Sequence, residues 1–310
     1  RLFGWPKESV EYNWRMLEEL PRIRRVLGDI RNAEDVRRAV GDGVDAVLHA
    51  AAQPGVGFSI RHPQEDFAIN ALGTLQVLDT VRQVSPRAVF LYCSTNKVYG
   101  TNVDQLAIRE DAARYVFADG LTGVSEAMSV DLAGHTPYGV SKLTGELYVQ
   151  DYAHTFGMRT GVFRLSCIYG TRQFGFEDQG WLAHFTVSTL LNRPITLYGN
   201  GKQVRDVLYV TDLVRAFDRF LAGTQRHGVY NIGGGPASTL SLLELLEELH
   251  RLLGRKPPIR SADWRPSDQR VYISDIRKAG AELQWSPQVS VREGIQRLVD
   301  WIRSHQELFT

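Results

Sequence analysis

The 310-residue sequence predicts an α/β fold, a doubly wound parallel sheet with a smaller C-terminal lobe. Three observations predict it. Short apolar runs alternate with amphipathic helical stretches, the pattern of βαβ units with helices on both faces of a parallel sheet. The run Ala88-Val89-Phe90-Leu91-Tyr92 leads into Ser94-Thr95, as a buried strand does when it delivers side chains at its carboxyl end. Beyond residue 170 the alternation loosens into loops and short elements, which sets off the second lobe.

In chain order, residues 24–27 and 45–49 read as strands with a helix over Ala33–Val40 between them. A helix over 70–84 precedes the strand at 88–92. Pro137 opens a helix running to Phe156, because its missing N–H has no partner in a first turn anyway. A strand follows at 159–164. In the second lobe, Ile195–Tyr198, 207–209 and 229–232 read as strands, and 211–221 and 241–252 as helices. Residues 1–170 and 171–310 are the two units, with the lobes interleaving in sequence.

Composition narrows the function. Hydrophobic content of 43% and charge of 23% are ordinary for a globular protein. A formal net charge of +1 gives no reason to invoke nucleic acid or a membrane surface. Cys93 and Cys167, the only cysteines, lie in apolar runs and read as buried thiols of a reducing compartment, not as a disulfide or metal site. No run is long enough to span a bilayer and no signal peptide is visible, so the expected location is the cytoplasm.

The most informative pair is Tyr138 and Lys142 in Pro137-Tyr138-Gly139-Val140-Ser141-Lys142. Four residues apart on a helix, the two share a face. An ammonium held beside a phenol favours the phenolate, and so predicts a tyrosine pKa lowered toward the working pH. Such a group takes a proton from a hydroxyl and returns it. By itself the spacing also suits a solvated helix face.

With Ser94-Thr95 upstream, the chain resembles the extended short-chain dehydrogenase/reductase family of NAD-dependent epimerases and dehydratases. That resemblance implies a Rossmann-like fold, NAD as cofactor and a catalytic triad of Thr95, Tyr138 and Lys142. By position it also implies cofactor contacts at Asp29 and Ile30 in Gly28-Asp29-Ile30-Arg31, at Ala50, Ala51 and Ala52 before Gln53, at Asn70 and at Ser94. Tyr138 and Lys142 count among them, with Lys142 meeting the nicotinamide ribose. Dimerisation through the Tyr138-bearing helix and the one before it is common in that family, so a homodimer or higher homo-oligomer is expected.

One piece expected of a Rossmann domain is missing, a strand, glycine-rich turn and helix whose amides hold the pyrophosphate. The chain starts at Arg1-Leu2-Phe3-Gly4-Trp5-Pro6, and its first strand looks like the third of the family's sheet. The expectation is that about forty residues of the family pattern lie outside this sequence, judged by the size of a first βαβ unit. Gly55-Val56-Gly57 follows a strand but opens no helix of the right kind. Gly233-Gly234-Gly235 reads as the turn after a strand of the second lobe.

The second half resembles the family's nucleotide-sugar contacts at Gln173, Gln179, Trp181, Asn200, Lys202, Gln203, Arg205, Arg265 and Asp268. Arg205 and Arg265 match positions that hold the substrate diphosphate, a role suited to the rigid two-pronged guanidinium. Their alternative is pairing with Asp206 or Asp268. Within the family the motifs resemble most the CDP-paratose 2-epimerase (CDP-tyvelose epimerase) group, on Ser94-Thr95-Asn96-Lys97, Arg172-Gln173-Phe174, Asp178-Gln179-Gly180-Trp181, residues 199–207 and Ser267-Asp268-Gln269-Arg270. Related dehydratases carry Asp-Glu where this chain has Asn96-Lys97, which counts against dehydration. The resemblance implies that Tyr138, assisted by Thr95, removes the C2 hydroxyl proton of a CDP-linked deoxysugar while NAD takes the hydride. The 2-keto intermediate turns, and reduction from its other face inverts C2. The alternatives are a 4-epimerase acting on a UDP- or GDP-sugar, or a truncated relative that binds nucleotide without turnover.

Overall fold

The computed structural model describes residues 7–309. The opening Arg1-to-Pro6 stretch, read above as lacking a glycine-rich turn, lies outside the described residues. The first half runs through α1 (Lys7–Met16), α2 (Ala33–Val40), β1 (Ala46–His49), α3 (Val56–Arg61), α4 (Pro63–Phe67), a π-helical turn (Ala68–Leu72), α5 (Gly73–Val84) and β2 (Val89–Thr95). A small antiparallel pair, β3 (Ile108–Glu110) and β4 (Tyr115–Phe117), precedes α6 (Pro137–Phe156) and β5 (Arg159–Leu165). Next come β6 (Ile168–Tyr169), α7 (Trp181–Leu190), β7 (Ile195–Tyr198), β8 (Val204–Asp206), β9 (Leu208–Tyr209), α8 (Val210–Ala222) and β10 (His227–Ile232). The chain closes with β11 (Thr239–Ser241), α9 (Leu242–Leu253), β12 (Ile259–Ala262), β13 (Val271–Tyr272), α10 (Arg277–Leu283) and α11 (Val291–Ser304).

The main sheet is parallel throughout, in the order β1-β2-β5-β10. Alternation along its strands sends side chains to two cores. Phe90, Tyr92 and Val162 meet Leu78, Val81 and Val149 on the side of α2, α5 and α6. Leu91, Phe163 and Tyr230 meet Phe217, Phe220 and Leu283 on the side of α8 and α10. Helices therefore cover both faces, as the alternation predicts.

Two sequence expectations change. Residues 24–27 carry no strand, because no described ladder pairs them. In the Rossmann order 3-2-1-4 a third strand pairs with the second and never with the fourth. Here β1, in the fourth place, is the edge of the described sheet, with Leu48 half exposed. The strand ending at Ile232 belongs to the main sheet, paired with β5, and not to the second lobe. The Gly233-Gly234-Gly235 turn after it is tightly packed, since a Cβ at Gly233 would lie 2.0 Å from Asp206 Oδ2.

The second lobe has its own core, where Phe185 of α7, Leu245 and Leu249 of α9, and Ile295 and Leu298 of α11 pack together. β8 pairs antiparallel with β11 and parallel with β13, while β7 pairs with β12. The lobes meet at the carboxyl end of β2.

Local chemistry fixes α6 there. Thr136 caps the helix, accepting from Gly139 N at 3.3 Å, and Pro137 occupies the first turn. Gly157, in the left-handed region at φ 67°, ends it. At Gly145 the helix presses onto β2, where a Cβ would lie 2.5 Å from Tyr92 Oη. That approach sets the turn carrying Lys142 against the strand, and Tyr92 Oη donates to Lys142 O at 3.1 Å.

Candidate active site

Thr95 is the last residue of β2, Tyr138 stands in the first turn of α6, and Lys142 lies one turn on. All three line one cleft of about 690 Å³ between the lobes. Lys142 is almost completely buried, and its Nζ lies 4.2 Å from the centroid of the Tyr92 ring. Burial pushes this ammonium down to about 8, against the pull of Cys93, Glu146 and Asp66. The Tyr138 phenol is not lowered as the spacing suggested. Burial pushes it up to about 12, with Thr95 opposing the rise and Asp66 and Cys93 adding to it. Helical spacing sets a shared face, but the ammonium is turned to the Tyr92 ring, and desolvation outweighs the hydroxyl's help to the phenolate.

Two buried networks stand behind this pair. Ser94 Oγ donates to Glu146 Oε2 at 2.8 Å, and Glu146 forms a forked ion pair with Arg164 at 2.5 Å. Arg164 Nη1 continues to Tyr99 Oη at 3.0 Å, which donates to Asn231 Oδ1 at 2.7 Å. Sequence reasoning missed Glu146, although 138, 142 and 146 repeat one helical spacing. In the second network, Asn70 on the π-helical turn clamps the Gln53 backbone, accepting from its N at 2.8 Å and donating to its O at 2.9 Å.

On the cofactor side, Ala50, Ala52 and Ser94 line the cleft. Ala51 is exposed beyond β1, and Asn70 is fully buried behind the wall. Asp29 and Ile30 stand outside the lining. Arg31 bonds the Asp29 carboxylate at 2.6 Å and holds its pKa down at about 2. Ile30 packs against α5, close enough that a Cβ on Gly73 would meet it at 2.8 Å. The small side chains at Ala50, Ala52 and Gly57, with Tyr138 and Lys142 across from them, fit the nicotinamide-ribose half of a dinucleotide. Gly55 precedes only the 6-residue α3, so the cluster opens no helix of the right kind, as expected. The Gly55-Val56-Gly57 and Gly233-Gly234-Gly235 clusters leave the pyrophosphate turn unprovided among the described residues.

Of the nucleotide-sugar positions, Gln173, Gln179, Trp181, Gln203, Arg205, Arg265 and Asp268 line the same cleft. Arg205 pairs with Asp268 at 2.6 Å. Arg265 lies 3.3 Å from Asp178 and 3.8 Å from Glu177, stacked 4.0 Å over the Tyr198 ring. Gln173 Oε1 and Gln203 Oε1 are buried without a protein partner, as suits a wall that receives a polar ligand. Trp181 Nε1 donates to Cys167 Sγ at 3.4 Å. Asn200 and Lys202 stand off the cleft: Asn200 donates to Tyr115 Oη and Lys202 pairs with Glu110, both at 2.7 Å. Lys97 and Cys167, not singled out as site residues, also line the cleft. Lys97, in the 3-10 turn that follows β2, donates from Nζ to Ser267 O at 3.3 Å. Cys167 sits at φ 37°, a strained backbone of the kind found at ligand sites.

Residues 1–233 match the model of the NAD dependent epimerase/dehydratase family. The chain belongs to that family. Among its members, the CDP-paratose 2-epimerase of Salmonella typhi is 40% identical over 94% of this chain and 88% of its own length. The UDP-glucuronic acid 4-epimerase of Bacillus cereus, solved with UDP-glucuronic acid and NAD, superposes with a TM-score of 0.80 at 28% identity, covering 97% of this chain and 88% of that one. The dTDP-glucose 4,6-dehydratase of Streptomyces venezuelae, solved with NAD, also scores 0.80 at 29% identity, over 96% and 84%. The chain thus has the Rossmann-like α/β fold of a family of nucleotide-sugar epimerases and dehydratases. Among the described residues no helix is long and apolar enough to cross a membrane, and no group of His, Cys, Asp and Glu is placed to hold a metal ion.

Proposed function

We propose that this chain is an NAD-dependent nucleotide-sugar 2-epimerase acting on a CDP-linked deoxysugar, converting CDP-paratose to CDP-tyvelose. The observation that carries the reading is the cleft itself, lined both by the Thr95–Tyr138–Lys142 group and by Arg205 and Arg265. That combination of groups suits a ligand that carries both a hydroxyl to oxidise and a diphosphate. The 40% identity to a CDP-paratose 2-epimerase supports C2 as the centre and cytidine as the base.

When bound, NAD accepts a hydride from the sugar carbon and returns it. The chain's residues handle the proton: as phenolate, a form that the Lys142 ammonium and the positive ring of bound NAD would favour against the effect of burial, Tyr138 takes it from the C2 hydroxyl as hydride leaves and restores it later, with Thr95 holding the oxygen. Lys142, Ala50 and Ala52 would hold the nicotinamide ribose, and Arg205 and Arg265 the diphosphate. Asn96 and Lys97, neutral and cationic, supply no carboxylate pair for eliminating water. Val140, Leu147 and Tyr148 form an exposed stripe on α6 beside Phe67 and Leu72, a surface suited to a second copy of the chain.

The test is product stereochemistry. Incubated with CDP-paratose and NAD, the chain is expected to give C2-inverted product with no net NADH. Inversion at C4 of UDP- or GDP-sugars, with CDP-paratose untouched, would replace this reading by a 4-epimerase. No dinucleotide bound and no turnover on any of them would leave a nucleotide-binding relative.

A further inference from the structure

Behind the cleft lies a carboxylate that the proposed proton transfer and the arginine end leave unused. Asp66, on α4, is completely buried. Ser141 Oγ donates to its Oδ2 at 2.5 Å, while Gln53 Nε2 at 2.6 Å and Asn70 Nδ2 at 3.1 Å donate to its Oδ1. All three donors are neutral. Burying a carboxylate is costly unless a counter-charge lies within reach. Ser141 is the neighbour of Lys142, whose charge acts on Asp66 through the same wall.

The charged and titratable groups facing Lys142 narrow its partner. From β1 comes His49, held neutral because burial, and then the charge of Lys142, pushes it down to about 3. From β2 come the ring of Tyr92 and the thiol of Cys93, which burial pushes up to about 11. From α6 itself come Tyr138 and Glu146, and Glu146 is committed to Arg164 at 2.5 Å. Glu146 acts on Lys142 more strongly, but its charge is already answered by Arg164, and among the described residues Asp66 on α4 is the nearby carboxylate with no arginine or lysine in an ion pair with it. The adjoining π-helical turn places Asn70 so that it ties Asp66 to Gln53, and such turns are frequent at functional sites.

We propose that Asp66 is a positioning residue: its carboxylate is the counter-charge that keeps buried Lys142 an ammonium, and its bond to Ser141 fixes the turn bearing Tyr138 and Lys142. This rests on the reading of Tyr138 and Lys142 as the proton-transfer pair. Burial pushes Asp66 itself upward, and Ser141, Gln53 and the charge of Lys142 work against that rise. Removing the negative charge takes away one of the influences that hold Lys142 up, so the lysine must lose its proton at lower pH.

The experiment reads protonation without turnover. The chain has six lysines, few enough for a ¹³C-ε lysine NMR titration in which Lys142→Arg identifies the Lys142 resonance. In the native chain Lys142 is expected to titrate near pH 8, and in Asp66→Asn at lower pH. A Lys142 midpoint that stays put in folded Asp66→Asn, even with a lower melting temperature, makes Asp66 purely structural and overturns the proposal. Should Asp66→Asn not fold, Lys142→Met tests the reverse direction, since coupled groups shift each other. The Asp66 carboxyl is then expected to titrate at higher pH, and an unmoved carboxyl overturns the proposal equally. Failure of the epimerase reading would show instead as no turnover by the native chain, with both titrations still readable.

Discussion

At one end of the cleft, Lys142 and Asp66 are buried and Glu146 is locked to Arg164, with hydrogen bonds running through β2, the π-helical turn and α6. At the other end Arg265 keeps 30% of its side chain exposed, and its carboxylate partners, Asp178 and Glu177, are exposed by 41% and 46%. Charges at the first end are dry and pre-arranged, as suits a proton transfer that cannot wait for solvent to reorganise. The Arg265 pairs are wet and of the kind worth little individually, so a diphosphate can take the place of those carboxylates at small cost, whereas Arg205 is held by Asp268 in a largely buried pair. On the proposed reading, the buried groups around Lys142 serve the chemistry and the exposed Arg265 serves recognition.

The sharpest way to break that assignment is Tyr138→Phe. Turnover should fall about 10²–10⁴-fold, the usual range for losing a general acid/base, with nucleotide-sugar affinity kept. Equal loss of turnover and affinity, read by kinetics beside calorimetry, would make the phenol a binding group. Next in size, Glu146→Gln leaves Arg164 buried without its partner and should cost about 3–5 kcal/mol of stability in urea unfolding. An unchanged midpoint would show that the interior end is less dry than its burial implies. Smallest, Arg265→Ala should weaken nucleotide-sugar binding roughly tenfold, at the low end for a charge-assisted bond, with kcat nearly unchanged. A fall in kcat alone would move Arg265 to the reacting end.

Much of this was readable along the chain. Pro137, Tyr138 and Lys142 specify a helix start and a shared face by local geometry, and α6 has those bounds. The β2 strand ends in Ser94 and Thr95 as its apolar run predicts. The π-helical turn at Ala68–Leu72 was hidden, because residues 70–72 read as the start of an ordinary helix over 70–84. Glu146 was legible in the repeat of 138, 142 and 146 but carried no distinguishing mark until Arg164, 18 residues on, came to meet it. Asp66 lay outside the helix read over 70–84 and carried no mark in the sequence.

The sequence by itself determined the alternation of strands and helices, the face shared by Tyr138 and Lys142, and the family. Each of these rests on near-neighbour spacing or on whole motifs. Tertiary structure alone decided that residues 24–27 have no ladder, that β10 joins the main sheet, that the Tyr138 phenol is pushed up, and that Asp66 meets Ser141 beside Lys142. Ladders, desolvation and buried charge depend on groups brought together across space. The hydroxyl of Ser141 and the carboxylate of Asp66 meet at 2.5 Å across a separation of 75 residues, which no local pattern encodes.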